Sequence, residues 1–247
     1  MSDVDPKPTS SGYADWKGWS AQAEFGTRFR GDDSYFSREL REVTSHVGKV
    51  VDVLEIGFGD GQFLSYARSR GWNVSGTELL PEQVAAGRKA GFAVYADTEL
   101  SELQNASFDV IAAFDVLEHI PEADTVAFLS VLASKLRPGG AMILRYPNAD
   151  SWLGNAFQYG DPTHVSAIGS IKMQYLAALA QLKILKYRAA TRRGFATSAV
   201  HGLHAATAGT FARAVGFVQS AIYFPGLPVV LSSSNVVCVL YPAETLK

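Results

Sequence analysis

From about residue 50 onward, short apolar runs alternate with amphipathic segments, and this alternation constrains the fold more than any other feature of the sequence. Such a pattern indicates parallel strands whose faces are covered by helices. We expect seven strands, at residues 50–56, 72–77, 92–96, 108–114, 141–146, 183–189 and 235–241. Helices are expected at residues 63–70, 81–90, 121–136 and 170–182. The sequence therefore predicts an α/β fold with a doubly wound, mostly parallel sheet, in which ligands bind beyond the carboxyl ends of the strands.

The 247 residues suffice for one main domain with a sizeable core. We expect this domain at residues 41–247, preceded by a tail and an aromatic-rich helical lid at residues 1–40. The first twelve residues are polar, so they predict a flexible lead-in rather than a signal peptide or a membrane anchor. The single cysteine, Cys238, cannot form an internal disulfide, which favours a cytoplasmic location.

An apolar helical insertion is expected at about residues 190–232, between the last two strands. Four of its apolar side chains recur at helical spacing: Phe211, Val215, Val218 and Ile222. Arg213 is the one charged residue between positions 199 and 231. We expect the resulting amphipathic helix to pack over the sheet, and peripheral contact of residues 199–231 with a membrane is the alternative.

The net charge of −2 hides a strong asymmetry along the chain. Every acidic residue except Glu244 lies at or before Asp161, whereas residues 162–243 carry seven Lys and Arg side chains. This pattern is compatible with an anionic partner, such as a phosphate or a membrane surface, and also with a solvated basic surface.

A glycine turn follows the first predicted strand, where the sequence reads VLEIGFGDG from Val53 to Gly61. Glycines at a strand end let the backbone approach a ligand closely. A dinucleotide site of the G-x-G-x-x-G type needs its third glycine at position 62, which is Gln62. The acidic Glu55 also suits a cationic ligand better than a pyrophosphate.

These residues resemble the first motif, E/D-x-G-x-G-x-G, of the class I S-adenosylmethionine-dependent methyltransferases, which have a Rossmann-like fold. The resemblance implies that Gly57, Gly59 and Gly61 contact S-adenosylmethionine and that Glu55 supports the turn and the ligand's ammonium group. Two more acidic positions match the family. Glu78, with the adjacent Leu79, ends the second strand, where the family binds both ribose hydroxyls, and Asp97 follows the third strand, where an acid bonds the adenine amino group.

Residues 114–121 resemble the family's D-x-L-E-H segment, which implies that Phe114 and Asp115 line the methionine end of the cofactor. The resemblance spans about residues 35–146 and includes the turn at residues 136–140. Glu118 and His119 fall in the same segment, and solvation or packing of these two side chains is as compatible with the sequence as a functional role.

Methyl transfer from a sulfonium needs orientation and, for a hydroxyl acceptor, a base, but it demands no metal. Asp161 and His164 lie in an irregular segment after the fifth strand, at the same edge as the cofactor residues. We therefore expect His164 to be the general base and Asp161 to orient it or to contact the acceptor, and a structural role of His164 in the turn is the alternative. Three other side chains are expected to line the acceptor pocket: Tyr146, Asn148 and Tyr159.

The pattern is similar to that of ubiquinone-biosynthesis methyltransferases and of enzymes that methylate surface glycans. It predicts O-methylation of a hydroxyl on a sugar or lipid-linked glycan in polysaccharide biosynthesis. The alternatives are a small phenol or quinone precursor as acceptor, a dinucleotide oxidoreductase or epimerase, and a non-catalytic cofactor-binding protein. Nucleic acid is not expected as a partner, because the positive charge is modest and no motif for a flipped base is present.

Overall fold

The computed structural model describes residues 24–243, except for the side chains of residues 97–99. This part of the chain forms a seven-stranded sheet with the strand order β3-β2-β1-β4-β5-β7-β6. The strands are β1 Asp52–Ile56, β2 Asn73–Glu78, β3 Ala93–Ala96, β4 Phe108–Phe114, β5 Leu136–Pro147, β6 Leu182–Ala189 and β7 Asn235–Pro242. The helices are α1 Asp32–Glu39, α2 Arg41–Val47, α3 Gln62–Ser69, α4 Pro81–Lys89, α5 Glu122–Lys135, α6 Trp152–Gln158, α7 Ser170–Leu179, α8 Ala199–Ala206 and α9 Ala208–Tyr223.

The five neighbouring strands β3, β2, β1, β4 and β5 pair in parallel, and β7 is antiparallel to both of its neighbours, β5 and β6. The predicted doubly wound, mostly parallel sheet is therefore confirmed. The largest difference in strand length is at β5, which begins at Leu136 rather than at residue 141. Leu136 already pairs with Phe108, and the register then shifts. Gly140 makes this irregular strand possible, because a Cβ there would lie 3.0 Å from three backbone carbonyl oxygens.

The core lies on both faces of the sheet, and β1 shows how its residues divide. Leu54 and Ile56 pack into the cluster on the α5 and α7 side, whereas Val53 packs on the side of α1, α2 and α3. Burial of each large apolar side chain contributes roughly 1.5–3 kcal/mol relative to exposure. The central strand is thus fixed from both sides, and its carboxyl end holds the glycine turn in place.

Helices α8 and α9 form the expected insertion segment between β6 and β7. The expectation that the large apolar face of α9 packs over the sheet is wrong. Phe211, Val218 and Ile222 are 72%, 52% and 64% exposed, while the buried residues of α9 are Gly209 and Gly216. The helix approaches the protein through its small residues, which turns the large side chains outward.

The aromatic N-terminal region is described from residue 24 onward, so Trp16 and Trp19 lie outside the described residues. Phe25 packs edge-on against Phe58 and Phe92, with 5.8 Å between ring centroids in both pairs. The lid function expected of residues 1–40 stays a prediction. No helix between residues 24 and 243 has the length and apolar character needed to span a membrane.

Candidate functional site

A cavity of about 1890 Å³ opens at the carboxyl ends of β1, β2 and β4. Typical pockets for one small molecule have roughly 300–1,000 Å³. The cavity is lined by the glycine turn and Glu55, by residues 78–80 and 114–116, and by residues of α1, α8 and α9. Its size and position at the strand ends provide room for a nucleoside cofactor and a second substrate.

The glycine turn after β1 is held by backbone hydrogen bonds to β2. The N–H groups of Gly57 and Phe58 donate to the carbonyl oxygen of Thr77 at 2.8 and 3.3 Å. Gly57 has a φ of 67°, and a Cβ there would lie 2.7 Å from Cγ2 of Val116. A side chain at this position is therefore excluded by both conformation and space. Gly59 also lines the cavity with positive φ.

Acidic side chains surround the turn. Glu55 is buried, and its Oε2 atom has no hydrogen-bond partner within residues 24–243. Burial, together with the nearby carboxylates of Asp60 and Glu78, raises the pKa of Glu55 well above its usual 4.5. Burial also raises the pKa of Asp60. Three carboxyl groups at one corner suit a cationic ligand, so the corner fits the ammonium and sulfonium groups of S-adenosylmethionine.

Glu78 connects the glycine turn to the start of α4. Its Oε2 accepts a 2.9 Å hydrogen bond from the Gly59 N–H, and its Oε1 accepts bonds from the N–H groups of Leu79 and Leu80 at 2.8 and 3.2 Å. These bonds fix the carboxylate at the cavity edge. Binding of the two ribose hydroxyls by Glu78 stays a prediction.

Leu79 lines the cavity with its side chain 71% exposed. Asp97 begins a 3₁₀ helix directly after β3, and Ala96 pairs with Glu78 in the sheet, so the two acidic positions are at neighbouring strand ends. The Asp97 side chain lies outside the described residues. Its contact with adenine stays a prediction.

An ion pair that the sequence interpretation missed closes the end of β4. Arg145 Nε donates to Asp115 Oδ1 at 3.1 Å, and Arg145 also contacts Asp115 Oδ2 and the Tyr35 hydroxyl. Burial opposes the charge of Arg145, but Asp115, Tyr35 and Glu39 together outweigh it and raise the pKa of Arg145. Burial raises the pKa of Tyr35 to about 12. The guanidinium lies 5.0 Å from the Phe114 ring centre, so this cluster fixes the predicted residues Phe114 and Asp115 beside the cavity.

His119 is the histidine of the D-x-L-E-H segment, and it faces the cavity together with Thr163. Its Nδ1 atom lies 3.2 Å from the Thr163 carbonyl oxygen and 3.1 Å from Thr163 Oγ1. The Thr163 hydroxyl in turn donates to Asp161 Oδ1 at 2.6 Å. Because both Thr163 atoms then act as acceptors towards His119, the contacts favour the tautomer with the proton on Nδ1.

The side chain of His164, the predicted base, packs against His119. The two imidazole rings have centroids 4.6 Å apart, and the His164 side chain is 6% exposed. Its Nε2 atom lies 3.5 Å from Asp161 Oδ2 and 3.8 Å from Glu118 Oε1. The structure therefore brings Asp161 and His164 together as predicted, but the residues of this group that line the cavity are His119 and Thr163.

The same group includes donors that could hold a metal ion. Glu118, His119 and His164 each offer one ligand atom, and these atoms lie within 4.8 Å of one another. One carboxylate and two imidazoles form a donor set typical of transition metals. The sequence prediction includes no metal.

The insertion contributes a polar wall to the cavity. Its lining residues include Arg192, Arg193, His201 and His204, followed by residues 233–235 at the start of β7. Arg193 pairs with Asp32, and Arg192 donates to the Ser232 carbonyl oxygen at 2.9 Å. These residues were missed because they are far from the glycine turn in sequence. The run of cations without acidic residues was the available signal.

The three residues predicted to line the acceptor pocket do not line this cavity. Tyr146 is packed in the core on the α5 and α7 side, and Tyr159 is 77% exposed. Asn148 is fully buried and donates to the carbonyl oxygens of Val230 and Ser233. Side-chain alternation along β5 and the turn after it direct these groups elsewhere.

Comparison with known proteins agrees with this geometry. Residues 24–187 match the family described as a methyltransferase domain. A ubiquinone biosynthesis O-methyltransferase from Idiomarina loihiensis is 32% identical over 111 residues, which cover 41% of this chain and 45% of the relative. The corresponding enzyme from Xanthomonas campestris is 35% identical over 37% of this chain and 41% of its own length. The chain thus matches less than half the length of these curated relatives.

Solved structures share the fold. An S-adenosylmethionine-dependent methyltransferase from Archaeoglobus fulgidus superposes with a TM-score of 0.61 at 17% identity, covering 86% of this chain and 95% of that one. A Burkholderia thailandensis N1-methyltransferase with bound 1,6-didemethyltoxoflavin and S-adenosylhomocysteine superposes with a TM-score of 0.52 at 16% identity, covering 99% and 94%.

The family match covers most of the chain, and the acidic glycine corner at the strand ends agrees with it. The alternative of a dinucleotide oxidoreductase is thereby set aside. The chain belongs to the methyltransferase-domain family, and it shares the fold of the S-adenosylmethionine-dependent methyltransferases among the solved structures.

Proposed function

We propose that the protein transfers a methyl group from S-adenosylmethionine to a hydroxyl oxygen and that His119 is the general base. The cofactor supplies a methyl group on a sulfonium, which leaves as a neutral thioether. The position of His119 carries the proposal, because its imidazole faces the cavity that the glycine corner also lines. With the proton on Nδ1, Nε2 is the ring nitrogen that takes the hydroxyl proton as the oxygen attacks.

Asp161 acts through Thr163 in this proposal. Its carboxylate accepts a hydrogen bond from the Thr163 hydroxyl, so the Thr163 oxygen acts as an acceptor towards the His119 Nδ1–H. Asp161 and Thr163 are thus positioning residues, and His164 packs against the base. This proposal moves the base from His164, where the sequence placed it, to the histidine beside it.

We further propose that the acceptor is a sugar hydroxyl, on a saccharide that carries an anionic group or a lipid. The wall formed by Arg192, His201, His204 and residues 233–235 supports this class, since it offers hydrogen bonds and positive charge to hydroxyls and phosphates. Polysaccharide biosynthesis in the cytoplasm is the setting we assign. It agrees with the single cysteine, Cys238, which is buried.

A small phenol or quinone precursor is the second candidate acceptor. The names of the curated relatives favour it, because both are ubiquinone biosynthesis O-methyltransferases. The apolar cavity residues Leu153 and Phe157 on α6 suit an aromatic ring. An acceptor screen with radiolabelled S-adenosylmethionine separates the two classes: label transfer to diphosphate-linked sugars supports the first, and transfer to catechols alone overturns it.

The base is tested with the substrate that the screen identifies. We expect His119→Ala to lower kcat by about 100-fold or more, with unchanged affinity for S-adenosylmethionine. Thr163→Val should lower kcat by a smaller factor and shift the pH–rate profile, which a purely structural residue does not do. His46→Ala, on α2 against Tyr241, is the matched control.

Two outcomes contradict this assignment. If His164→Ala abolishes turnover while His119→Ala retains it, the base is His164, as the sequence predicted. If EDTA abolishes turnover and a divalent ion restores it, the group formed by Glu118, His119 and His164 binds a metal instead of acting through His119 as a base.

A further inference from the structure

The outward face of α9 is an exposed apolar surface that the proposed reaction does not use. We define this outer face by Phe211, Val215, Val218 and Ile222, which recur at helical spacing and are all exposed. Phe217, on another side of α9, and Leu203 on α8 are exposed as well. Apolar residues three and four positions apart are neighbours on a helix, so the face is continuous over about 16 Å. Continuous apolar surfaces of this kind mark contact sites for proteins or membranes.

Glycines fix the direction in which this face points. Gly209 and Gly216 are the buried residues of α9, and Gly202 is the buried residue of α8. A Cβ on Gly216 would lie 2.7 Å from the Ser232 Cβ, and one on Gly209 would lie 2.7 Å from Arg192 Nη1. The helix therefore contacts the protein through positions that hold no side chain. The outward direction of the large apolar groups is built into the sequence.

The insertion that carries the outer face holds cations and no carboxylates. Residues 162–243 contain no acidic side chain, and Arg213 lies on the polar side of α9, away from the outer face, where it donates to Thr210 Oγ1 at 3.0 Å. Among residues 24–243, neither Arg213 nor Arg192 forms a salt bridge with a carboxylate. A segment with exposed apolar groups, cations and no anions complements a bilayer with anionic headgroups. A second copy of the same segment offers no carboxylate to these cations, so it does not complement their charge.

The outer face is continuous with the functional cavity through the same two helices. Val200, His204, Ala208 and Ala212 line the cavity, whereas Leu203, Phe211 and Val215 of the same helices point to solvent. A molecule held in a bilayer against the outer face would thus lie beside the cavity mouth. An acceptor with a lipid chain could present its polar end to the cavity without leaving the membrane.

We propose that helices α8 and α9 dock on the surface of a bilayer that contains anionic lipids, with the outer face of α9 inserted among the headgroups. This docking deepens the proposed function, since it names the source of a lipid-linked acceptor. Vesicle binding is measured without an acceptor and without turnover, so the docking and the methyl transfer fail independently.

The test is flotation of the full chain with vesicles of three parts phosphatidylcholine to one part phosphatidylglycerol. We expect the wild-type protein to float and the triple variant F211S/V218S/I222S to lose binding by about 100-fold or more, because three large apolar groups no longer insert. The matched control is I171S/Y175S/L179S on α7, whose three apolar side chains are similarly exposed. This control should float like the wild type.

Charge is tested separately. Arg213→Ala should weaken binding to the anionic vesicles roughly five-fold and leave binding to pure phosphatidylcholine unchanged. All variants should bind S-adenosylmethionine with wild-type affinity, measured by calorimetry, which shows that the fold and the corner are intact.

Three results overturn the proposal. One is a wild-type protein that does not float. Another is equal loss of flotation in the α7 control, which would show that general surface hydrophobicity causes binding. The third is that light scattering shows the wild type as a dimer that does not bind vesicles and shows the α9 triple variant as a monomer. The outer face is then an interface between copies of the chain.

Discussion

The glycine corner after β1 and the α8–α9 insertion both depend on glycine, with opposite results. In the corner, Gly57 and Gly59 line the cavity with positive φ, and a Cβ on Gly57 would collide with Val116, so the backbone itself is presented to the cavity. In the insertion, Gly209 and Gly216 remove side chains from the surface that faces the protein, so the bulky groups point to solvent. A glycine pattern alone thus shows a close approach but does not show which partner approaches.

The two regions also differ in how their polar groups are satisfied. In the corner, Glu55 and Glu78 are buried carboxyl groups, and Glu78 is bonded to three backbone N–H groups. In the insertion, Arg192 and Arg193 line the cavity, and the large apolar side chains of α9 are exposed. The corner is organised for a small charged ligand, and the insertion presents a broad surface.

The largest effect that separates the regions is expected for Glu78→Ala. This substitution removes the acceptor of the Gly59 N–H and the predicted acceptor of the ribose hydroxyls. Hydrogen bonds to a charged group contribute about 1.5–3 kcal/mol each, so affinity for S-adenosylmethionine should fall by about 100-fold or more. Calorimetry measures this affinity. The control is F211S/V218S/I222S, which should bind S-adenosylmethionine as the wild type does. Wild-type affinity of Glu78→Ala would show that the cofactor binds elsewhere.

The difference between the regions also explains what the sequence could predict. The strand alternation and the turn from Glu55 to Gly61 are local, because glycine spacing, strand end and helix start lie within ten residues. The sheet was therefore predicted correctly, and the turn lies at the end of β1 as the sequence indicated. The ion pair between Arg145 and Asp115 depends on how two strands are aligned, which the sequence does not show directly. The lone arginine in the apolar run of residues 141–146 was nevertheless a usable signal for a buried acidic partner.

The positions of the histidines and of α9 depend on tertiary packing. Sequence order placed His164 and His119 at the same sheet edge, but it could not show which ring lies in front. For α9, the apolar spacing predicted an amphipathic helix correctly. Its direction was wrong because large apolar groups were assumed to face inward, whereas the buried stripe is made of glycines seven residues apart.

A smaller effect is expected when a side chain is added to the inward face of α9. Gly216→Leu should lower the free energy of unfolding by roughly 1–3 kcal/mol, because its Cβ alone would lie 2.7 Å from the Ser232 Cβ. Ala214→Leu adds a similar side chain on the exposed side of the same helix and should change stability by about 0.5 kcal/mol or less. Urea unfolding compares the two. Equal stability would remove the main support for the outward direction of the apolar face.

The smallest effect is expected at Glu55, and its sign follows from burial. The folded protein raises the pKa of Glu55 above its usual 4.5, so the fold retains a proton that the unfolded chain releases. The contribution of this group to stability is therefore present at low pH and is lost as the pH rises towards the raised pKa. Glu55→Gln has no proton to release at this position. Its free energy of unfolding relative to that of the wild type should therefore rise by about 1 kcal/mol over roughly the first pH unit above 4.5, as measured by urea unfolding.

The same group distinguishes a cation site from a structural acid. A bound cation favours the ionised form of Glu55, so S-adenosylmethionine should bind wild type more weakly as the pH falls, with proton release in calorimetry, and this dependence should be absent in Glu55→Gln. If the affinities of both proteins have the same pH dependence, Glu55 supports only the turn. The corner would then select its ligand through shape and the Glu78 carboxylate, and it would resemble the insertion in using glycine for packing rather than charge for recognition.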